Sequence, residues 1–189
     1  MRTRAIALLT ATLAAGTLLA ACSSGASAGG GGDNTTIQAV GAENEYADVI
    51  HQIGGQYVNV TSIMSNPNTD PHTFEASAKV GTQVREASLV VQNGLGYDDF
   101  MNNIENGAPN PNRTVIDVQK LRGLPDSTSN PHLWYDPATM PAVAKAVESA
   151  LSKAQPDHAS YFQANEATFE KSFSEWTQAL AAFKQDYPN

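Results

Sequence analysis

The sequence has 189 residues, a formal net charge of −8 and hydrophobic residues at 41% of its positions. This length is sufficient for one domain with a buried core, but not for two. The acidic balance, with no basic run after the first four residues, argues against a nucleic-acid partner, because contacts to phosphates need a basic surface.

The first 21 residues have the pattern of a bacterial targeting segment. Two arginines precede an apolar run over 6–20, which is shorter than a comfortable membrane span. The run ends in Leu19-Ala20-Ala21-Cys22, which resembles the lipobox of bacterial lipoproteins. In those proteins a signal peptidase cleaves before the cysteine, and the cysteine sulfur carries a diacylglycerol.

Cys22 is the single cysteine of the chain, so it has no partner for an internal disulfide. The alternative to lipidation is an ordinary signal peptide cleaved at a small residue, with a free thiol nearby. The position of Cys22 directly after the cleavage motif favours lipidation. Residues 22–36 are rich in glycine and serine and are predicted to form a flexible tether. The sequence therefore predicts a chain anchored to the outer face of the cell membrane.

From Ile37 onwards, strand and helix patterns alternate. Short apolar or alternating runs predict four strands, over 37–40, 57–64, 89–91 and 114–118. Helical periodicity predicts intervening helices over 43–53, 77–87 and 97–105, with Ser77 as an N-cap. This alternation predicts an α/β fold with a parallel sheet covered on both faces. Binding sites in such folds lie in the loops at the carboxyl ends of the strands.

Two further helices are predicted over 136–153 and 157–187. At 1.5 Å per residue the second would be about 45 Å long, comparable with the length of the whole domain. It carries an apolar stripe, which we interpret as core packing: Phe162, Phe169, Phe173, Trp176, Leu180 and Phe183. The predicted organisation is an α/β lobe over 37–154 followed by a long helix over 155–189.

Two histidines each follow a polar residue and a proline, in Asp70-Pro71-His72 and Asn130-Pro131-His132. Proline restricts its own backbone and that of the preceding residue, so each imidazole is presented from a stiff loop. Imidazole is the commonest protein ligand for zinc and suits several other metals. A single loop histidine is more often a hydrogen-bonded one, but the repeated pattern favours a shared metal site at His72 and His132. Zinc takes four ligands, or three and a water, so two histidines are half a site.

A metal-bound imidazole needs a hydrogen-bond partner for its second nitrogen. The nearest acidic candidates in the sequence are Asp70, Glu75 and Asp136. The other two histidines, His51 and His158, are expected to be solvated.

Other chemistries fit the sequence less well. Gly94-Leu95-Gly96 follows a strand and opens a helix, which mimics a dinucleotide-binding fingerprint. The third glycine is missing, and Asp98 and Asp99 would repel a pyrophosphate at the helix start. Nothing resembles a nucleophile with its base, so we expect no enzymatic activity. Two alternatives remain open: a metal-dependent hydrolase with Glu75 or Asp136 as its base, and a surface adhesin or scaffold without a metal.

Six motifs, in order, resemble the zinc/manganese-type solute-binding proteins of ABC importers: Ala42–Asp48, Ile53–Gly55, Ser65–Pro67, Asp70–Glu75, Asn93–Tyr97 and Asn130–Trp134. That family has two (β/α) lobes joined by a long helix, with one metal ion between them. The resemblance implies that His72 and His132 are the two ligands of the first lobe. It also implies an extracytoplasmic receptor that delivers zinc, manganese or iron to a membrane permease.

The resemblance extends from about Ile37 to Tyr187. The remaining ligands of the family, a histidine or glutamate and an aspartate, belong to a second lobe for which this sequence has no counterpart. We expect the chain to be a fragment, a truncated product or a half-protein that needs a partner. The segment 120–129 is short and has no histidine, which argues slightly against a receptor specialised for zinc.

Overall fold

The computed structural model describes residues 36–66 and 68–188, without the side chain of His72. The predicted targeting segment, Cys22 and the tether up to residue 35 lie outside the described residues. Within those residues no helix is both long and apolar enough to cross a lipid bilayer.

A four-stranded parallel sheet lies at the centre of the fold. Its strands are β1 (Ile37–Glu43), β2 (Val58–Met64), β3 (Leu89–Gln92) and β4 (Thr114–Asp117), in the spatial order β2-β1-β3-β4. The central strands β1 and β3 are buried almost throughout, as the two covered faces of such a sheet require. The prediction of an α/β fold with a parallel sheet is confirmed.

Seven α-helices are described: α1 (Asn44–Gly54), α2 (Ala78–Glu86), α3 (Asp99–Gly107), α4 (Val118–Leu121), α5 (Thr139–Ala154), α6 (Ala159–Ser172) and α7 (Ser174–Asp186). Short 3-10 helices cover Gly55–Tyr57, Pro71–Thr73, Leu133–Tyr135 and Pro156–His158. α1, α5 and α6 share one hydrophobic core with one face of the sheet. α2 and α3 cover the opposite face with a smaller core.

Local sequence explains how two of these helices begin and pack. α1 buries Tyr46, Val49, Ile50 and Ile53, which recur at helical spacing and form one apolar face. The approach of α1 to β1 depends on Gly41, where an added Cβ would lie 2.4 Å from the backbone nitrogen of Ala47. Ser77 caps α2 as predicted, since its side chain accepts a hydrogen bond from the Val80 N–H at 3.3 Å.

The strand order creates a crevice at the carboxyl edge of the sheet. β1 and β3 are neighbours, yet the helices that follow them, α1 and α3, lie on opposite faces. The loops that leave these two strands therefore diverge, and the space between them is where ligands bind in open α/β sheets.

The predicted single long helix is divided at Phe173. This residue separates α6 from α7, with φ −83° and ψ −10°. Hydroxyls on both sides bond to helix carbonyls, from Ser172 to Phe169 at 2.6 Å and from Thr177 to Phe173 at 3.0 Å. Side-chain bonds of this kind bend helices.

The aromatic stripe along α6 and α7 is only partly a core feature. Phe162 and Phe169 are buried against α1 and α5, as predicted. Trp176 and Phe183 on α7 are 45% and 59% exposed, so the core-packing interpretation is wrong for the second half of the stripe.

Candidate metal site

Both histidine-bearing loops follow sheet strands at the carboxyl edge. His72 lies in the loop after β2, and His132 lies in the segment after β4 and α4. The side chain of His72 lies outside what the structure describes. The predicted convergence of the two imidazoles therefore stays a prediction.

The loop after β2 reaches across the edge of the sheet towards α3. The ring of Phe74 packs against Phe100 of α3 with a centroid separation of 4.6 Å. Burial raises the pKa of Tyr97, and nearby carboxylates, including that of Asp70, raise it further. Tyr97 itself lies beside His132. Asp70 thus lies close enough to affect a residue that contacts His132, whereas Phe74 packs on α3.

Three aromatic side chains lie next to the imidazole of His132, which remains partly open to solvent. Tyr97 and Trp134 contact it edge to face, with ring centroids 5.3 Å and 5.4 Å away, and Tyr135 lies at 6.5 Å. Trp134 in turn packs edge to face on Tyr46 of α1 at 6.3 Å. The ring of His132 is exposed, but its contact with Trp134 connects it to the core through Tyr46.

Asn130 fixes both the backbone and the ring of His132. Its Oδ1 accepts a hydrogen bond from the backbone N–H of His132 at 3.0 Å and lies 2.9 Å from the ring Nδ1. Because this oxygen can only accept, Nδ1 carries the proton and donates it. The lone pair of Nε2 then remains for a metal ion, which is the arrangement that metal-binding histidines use.

The acidic candidates occupy other positions. Asp136 accepts a hydrogen bond from the backbone N–H of Ala138 at 2.9 Å, and its second oxygen lies 3.3 Å from the guanidinium of Arg122. It thus shapes the start of α5, and the partner that the structure gives to His132 is Asn130 instead. The backbone carbonyl of Asp70 accepts from Thr73 at 3.2 Å, whereas Glu75 is exposed. The predicted support of a metal ligand by Asp70 or Glu75 stays a prediction.

The loop between β3 and α3 is closed by the carboxylate of Asp98. Its two oxygens accept from the backbone N–H groups of Asn93 at 2.6 Å and Gly94 at 2.9 Å. Residues 94–96 all have positive φ, which the two glycines adopt without strain. The glycine pattern that mimics a dinucleotide fingerprint thus serves a turn whose N–H groups are bound by a carboxylate of the chain itself.

A second carboxyl group, that of Glu43, lies buried at the end of β1. Sequence patterning predicts Glu43 as the first residue of a helix, whereas it ends the strand and is 2% exposed. Both of its carboxyl oxygens are buried, and the side chain of Asp98 lies close to them. Burial, followed by the charge of Asp98, raises the pKa of Glu43 to about 10. Burial also raises the pKa of Asp98, to about 6, against the effect of its two N–H donors.

Among the residues that the structure describes, no three or more histidine, cysteine, aspartate or glutamate side chains are grouped to hold a metal ion. The described side chain best placed as a ligand is that of His132. A site at this edge would draw its second imidazole from His72.

A doubly wound α/β lobe with histidine-bearing loops at its carboxyl edge is the architecture of a ligand-binding domain. Residues 40–189 match the model of the ZnuA family, described as zinc-uptake complex component A, periplasmic. The chain belongs to this family. The resemblance to metal-binding solute-binding proteins is thereby confirmed.

The chain is also similar to individual proteins. It is 29% identical over 135 residues to the manganese-binding lipoprotein MntA of Bacillus subtilis, covering 68% of this chain and 44% of the relative. It is 24% identical over 156 residues to the manganese ABC transporter substrate-binding lipoprotein PsaA of Streptococcus pneumoniae, covering 76% and 48%. The chain thus spans about half the length of these curated relatives.

A solved structure shows the same fold. The periplasmic zinc-binding protein TroA from Treponema pallidum superposes with a TM-score of 0.68 at 22% identity, covering 81% of this chain and 57% of that one. This likeness independently supports the parallel sheet and the connected helices described above.

The buried carboxyl of Glu43 predicts how stability depends on pH. The folded chain retains a proton that the unfolded chain releases above its ordinary pKa of 4.5, so unfolding becomes easier as the pH rises from 4.5 towards about 10. Glu43→Gln removes this penalty. It is expected to raise the free energy of unfolding by about 3 kcal/mol at pH 7 and by little near pH 4.5.

Urea denaturation of the metal-free chain at several pH values measures this effect. Glu175→Gln on α7 is the matched control, because that glutamate is exposed. A Glu43→Gln variant that is less stable at pH 7, or whose gain does not grow with pH, would contradict the assignment.

Proposed function

We propose that this chain is the metal-binding lobe of an extracytoplasmic receptor that delivers a divalent cation to the permease of an ABC importer. The observation that carries this proposal is the presentation of His132. Its ring is packed by aromatic side chains, and Asn130 occupies Nδ1, so Nε2 is available at the crevice edge. Membership of the ZnuA family and the names of the similar proteins support the same function.

The cation is proposed to be zinc, manganese or iron in the divalent state. Neutral imidazoles suit zinc and also bind the other two, whereas carboxylate and water ligands suit manganese. The similar proteins are named for manganese in two cases and for zinc in the third. The metal is transported cargo in this proposal, and His72 and His132 are its ligands.

We propose no catalytic role for the site. A hydrolase would need a general base beside the metal. Asp136, one of the two candidate bases, is engaged by Ala138 and Arg122. The family to which the chain belongs is named for uptake.

We further propose that the mature chain is tethered to the membrane through a lipidated Cys22. The lipobox-like Leu19-Ala20-Ala21-Cys22 and the lipoprotein names of MntA and PsaA support this. A glycine- and serine-rich tether would let the lobe work a short distance from the permease.

Cys22→Ser is expected to release the protein from the membrane fraction of expressing cells. A single acyl chain binds membranes only marginally, whereas a diacylglyceryl group anchors stably, so loss of the sulfur should remove most of the attachment. Fractionation followed by immunoblotting measures the change, with Ser23→Ala as the control. Unchanged membrane association of Cys22→Ser would refute the anchor.

Zinc titration by calorimetry tests the metal site itself. For the chain from residue 23 onwards we expect a dissociation constant between micromolar and millimolar, because two imidazoles and water supply only part of a complete zinc site. His72→Ala and His132→Ala should each weaken binding at least about tenfold. Acidification should also weaken it, since protons compete for the nitrogen lone pairs.

His51→Ala provides the matched control, because His51 is exposed on α1. Its affinity for zinc should equal that of the unmutated chain. Nanomolar binding would show that further ligands exist within this lobe. Binding that neither His72→Ala nor His132→Ala changes would refute the proposed site.

A further inference from the structure

The side chain of Asn93 connects the sheet to the loop that carries His132. Asn93 directly follows β3 at the crevice and is fully buried. Its backbone N–H donates to Asp98 at 2.6 Å, and its backbone carbonyl accepts from Gln119 at 3.0 Å. The backbone of Asn93 is thus held by hydrogen bonds at both its N–H and its carbonyl group, independently of its side chain.

The amide of Asn93 has a single orientation that satisfies its neighbours. Its Oδ1 accepts from the hydroxyl of Tyr46 at 2.7 Å. Its Nδ2 donates to the carbonyls of Gly94 at 2.9 Å and Pro131 at 2.8 Å. In the reversed orientation Oδ1 would face two carbonyl oxygens, and neither of them can donate a hydrogen bond. The hydroxyl of Tyr46 and the two carbonyls therefore determine where each end of the amide lies.

The bond to Pro131 acts on the peptide group that joins Pro131 to His132. Asn93 and the backbone N–H of Leu133 bind the carbonyl oxygen of this peptide, and Asn130 binds its N–H at 3.0 Å. Both polar groups of the peptide are thus held, one of them by a residue 38 positions earlier in the chain. The orientation of that peptide sets the direction in which the Cα–Cβ bond of His132 leaves the backbone.

We propose that Asn93 is a positioning residue for His132, acting through the carbonyl of Pro131 and oriented by Tyr46. This inference rests on the proposed function, because it assigns to Asn93 the placement of a metal ligand that it does not touch. Removing the Nδ2 donor leaves the N–H of Leu133, at 2.9 Å, as the remaining partner of the Pro131 carbonyl. The peptide then loses its link to the sheet, and the imidazole can shift with the loop. Partners that orient metal ligands typically change affinity by about 10- to 100-fold when mutated.

Asn93→Leu tests the proposal, because it keeps the size of the side chain but removes its hydrogen bonds. Asn165→Leu is the matched control. The Nδ2 of Asn165 also donates to a backbone carbonyl across a long sequence separation, that of Ile53 at 2.9 Å, but it joins α6 to α1 away from His132. Both variants lose an amide–carbonyl bond, while Asn93→Leu also loses its buried bonds to Tyr46 and Gly94. The control therefore accounts for the loss of one such bond, and Tyr46→Phe below isolates the bond to the hydroxyl.

The first readout requires no metal. Nitrogen-15 NMR of the imidazole rings reports the tautomer and surroundings of His132, with its signals assigned by their loss in His132→Ala. Asn93→Leu should shift or broaden these signals, whereas Asn165→Leu should leave them unchanged. Signals of His132 that are the same in Asn93→Leu as in the unmutated chain would overturn the proposal.

The second readout is the zinc dissociation constant. Asn93→Leu should raise it about 10- to 100-fold, and adding Asn93→Leu to His132→Ala should have no further effect. A full additional loss in the His132→Ala background would show that Asn93 acts elsewhere, and would overturn the proposal. If the unmutated chain binds no zinc, the proposed function fails, while the NMR comparison still decides the role of Asn93.

Tyr46→Phe replaces Asn93→Leu if the latter does not fold. It retains the ring that packs on Trp134 and removes only the hydroxyl that orients the amide. The signals of His132 should then shift in the same direction, with a smaller loss of affinity of several-fold. Unchanged signals and affinity in a folded Tyr46→Phe variant would count against the proposal.

Discussion

The crevice at the carboxyl edge exists because neighbouring strands β1 and β3 lead to helices on opposite faces of the sheet. The contacts across this opening depend on the divergence, whereas the bonds between Asn130 and His132 are local. Glu43 is the last residue of β1, and Asn93 directly follows β3. The side chain of Asn93 donates a hydrogen bond to Pro131 in the loop that carries His132. A sheet whose helices all lay on one face would offer no such opening at this position.

Burial of polar groups has two different consequences in this crevice. The amide of Asn93 is completely hydrogen-bonded, so its burial costs little and orients its neighbours. The carboxyl of Glu43 is buried beside Asp98, and burial raises its pKa to about 10, so it keeps its proton at neutral pH and opposes folding as the pH rises. Residues near binding sites commonly carry such a cost in stability.

Much of the fold follows from sequence patterns, because helices such as α1 bury one face and the central strands are buried almost throughout. The four strands and the face of α1 could be predicted from spacing alone, and Ser77 marked the start of α2. The division at Phe173 could not, because it depends on hydroxyl bonds to helix carbonyls. Periodicity also identified the apolar stripe along α6 and α7, but it could not show which part of the stripe is buried. Trp176, in the second half, is exposed.

The site was predicted less completely than the fold. The Pro-His pattern predicted His72 and His132 as candidate ligands, because a proline directly before a histidine can be recognised in the sequence. Asn130 lies two residues before His132, whereas the sequence prediction considered only the nearest acidic residues as partners of the imidazole. The role of Asn93 depends on a bond across 38 residues and a buried tyrosine, which have no local pattern.

X-ray absorption spectroscopy of the chain loaded with one equivalent of zinc tests the central claim most directly, namely that His72 and His132 bind one metal at the crevice edge. The account predicts scattering from two imidazoles, with oxygen atoms completing the shell at about 2.0–2.2 Å. The His132→Ala variant should retain one imidazole. Fewer than two imidazoles in the unmutated chain, or a spectrum that His132→Ala leaves unchanged, would contradict it.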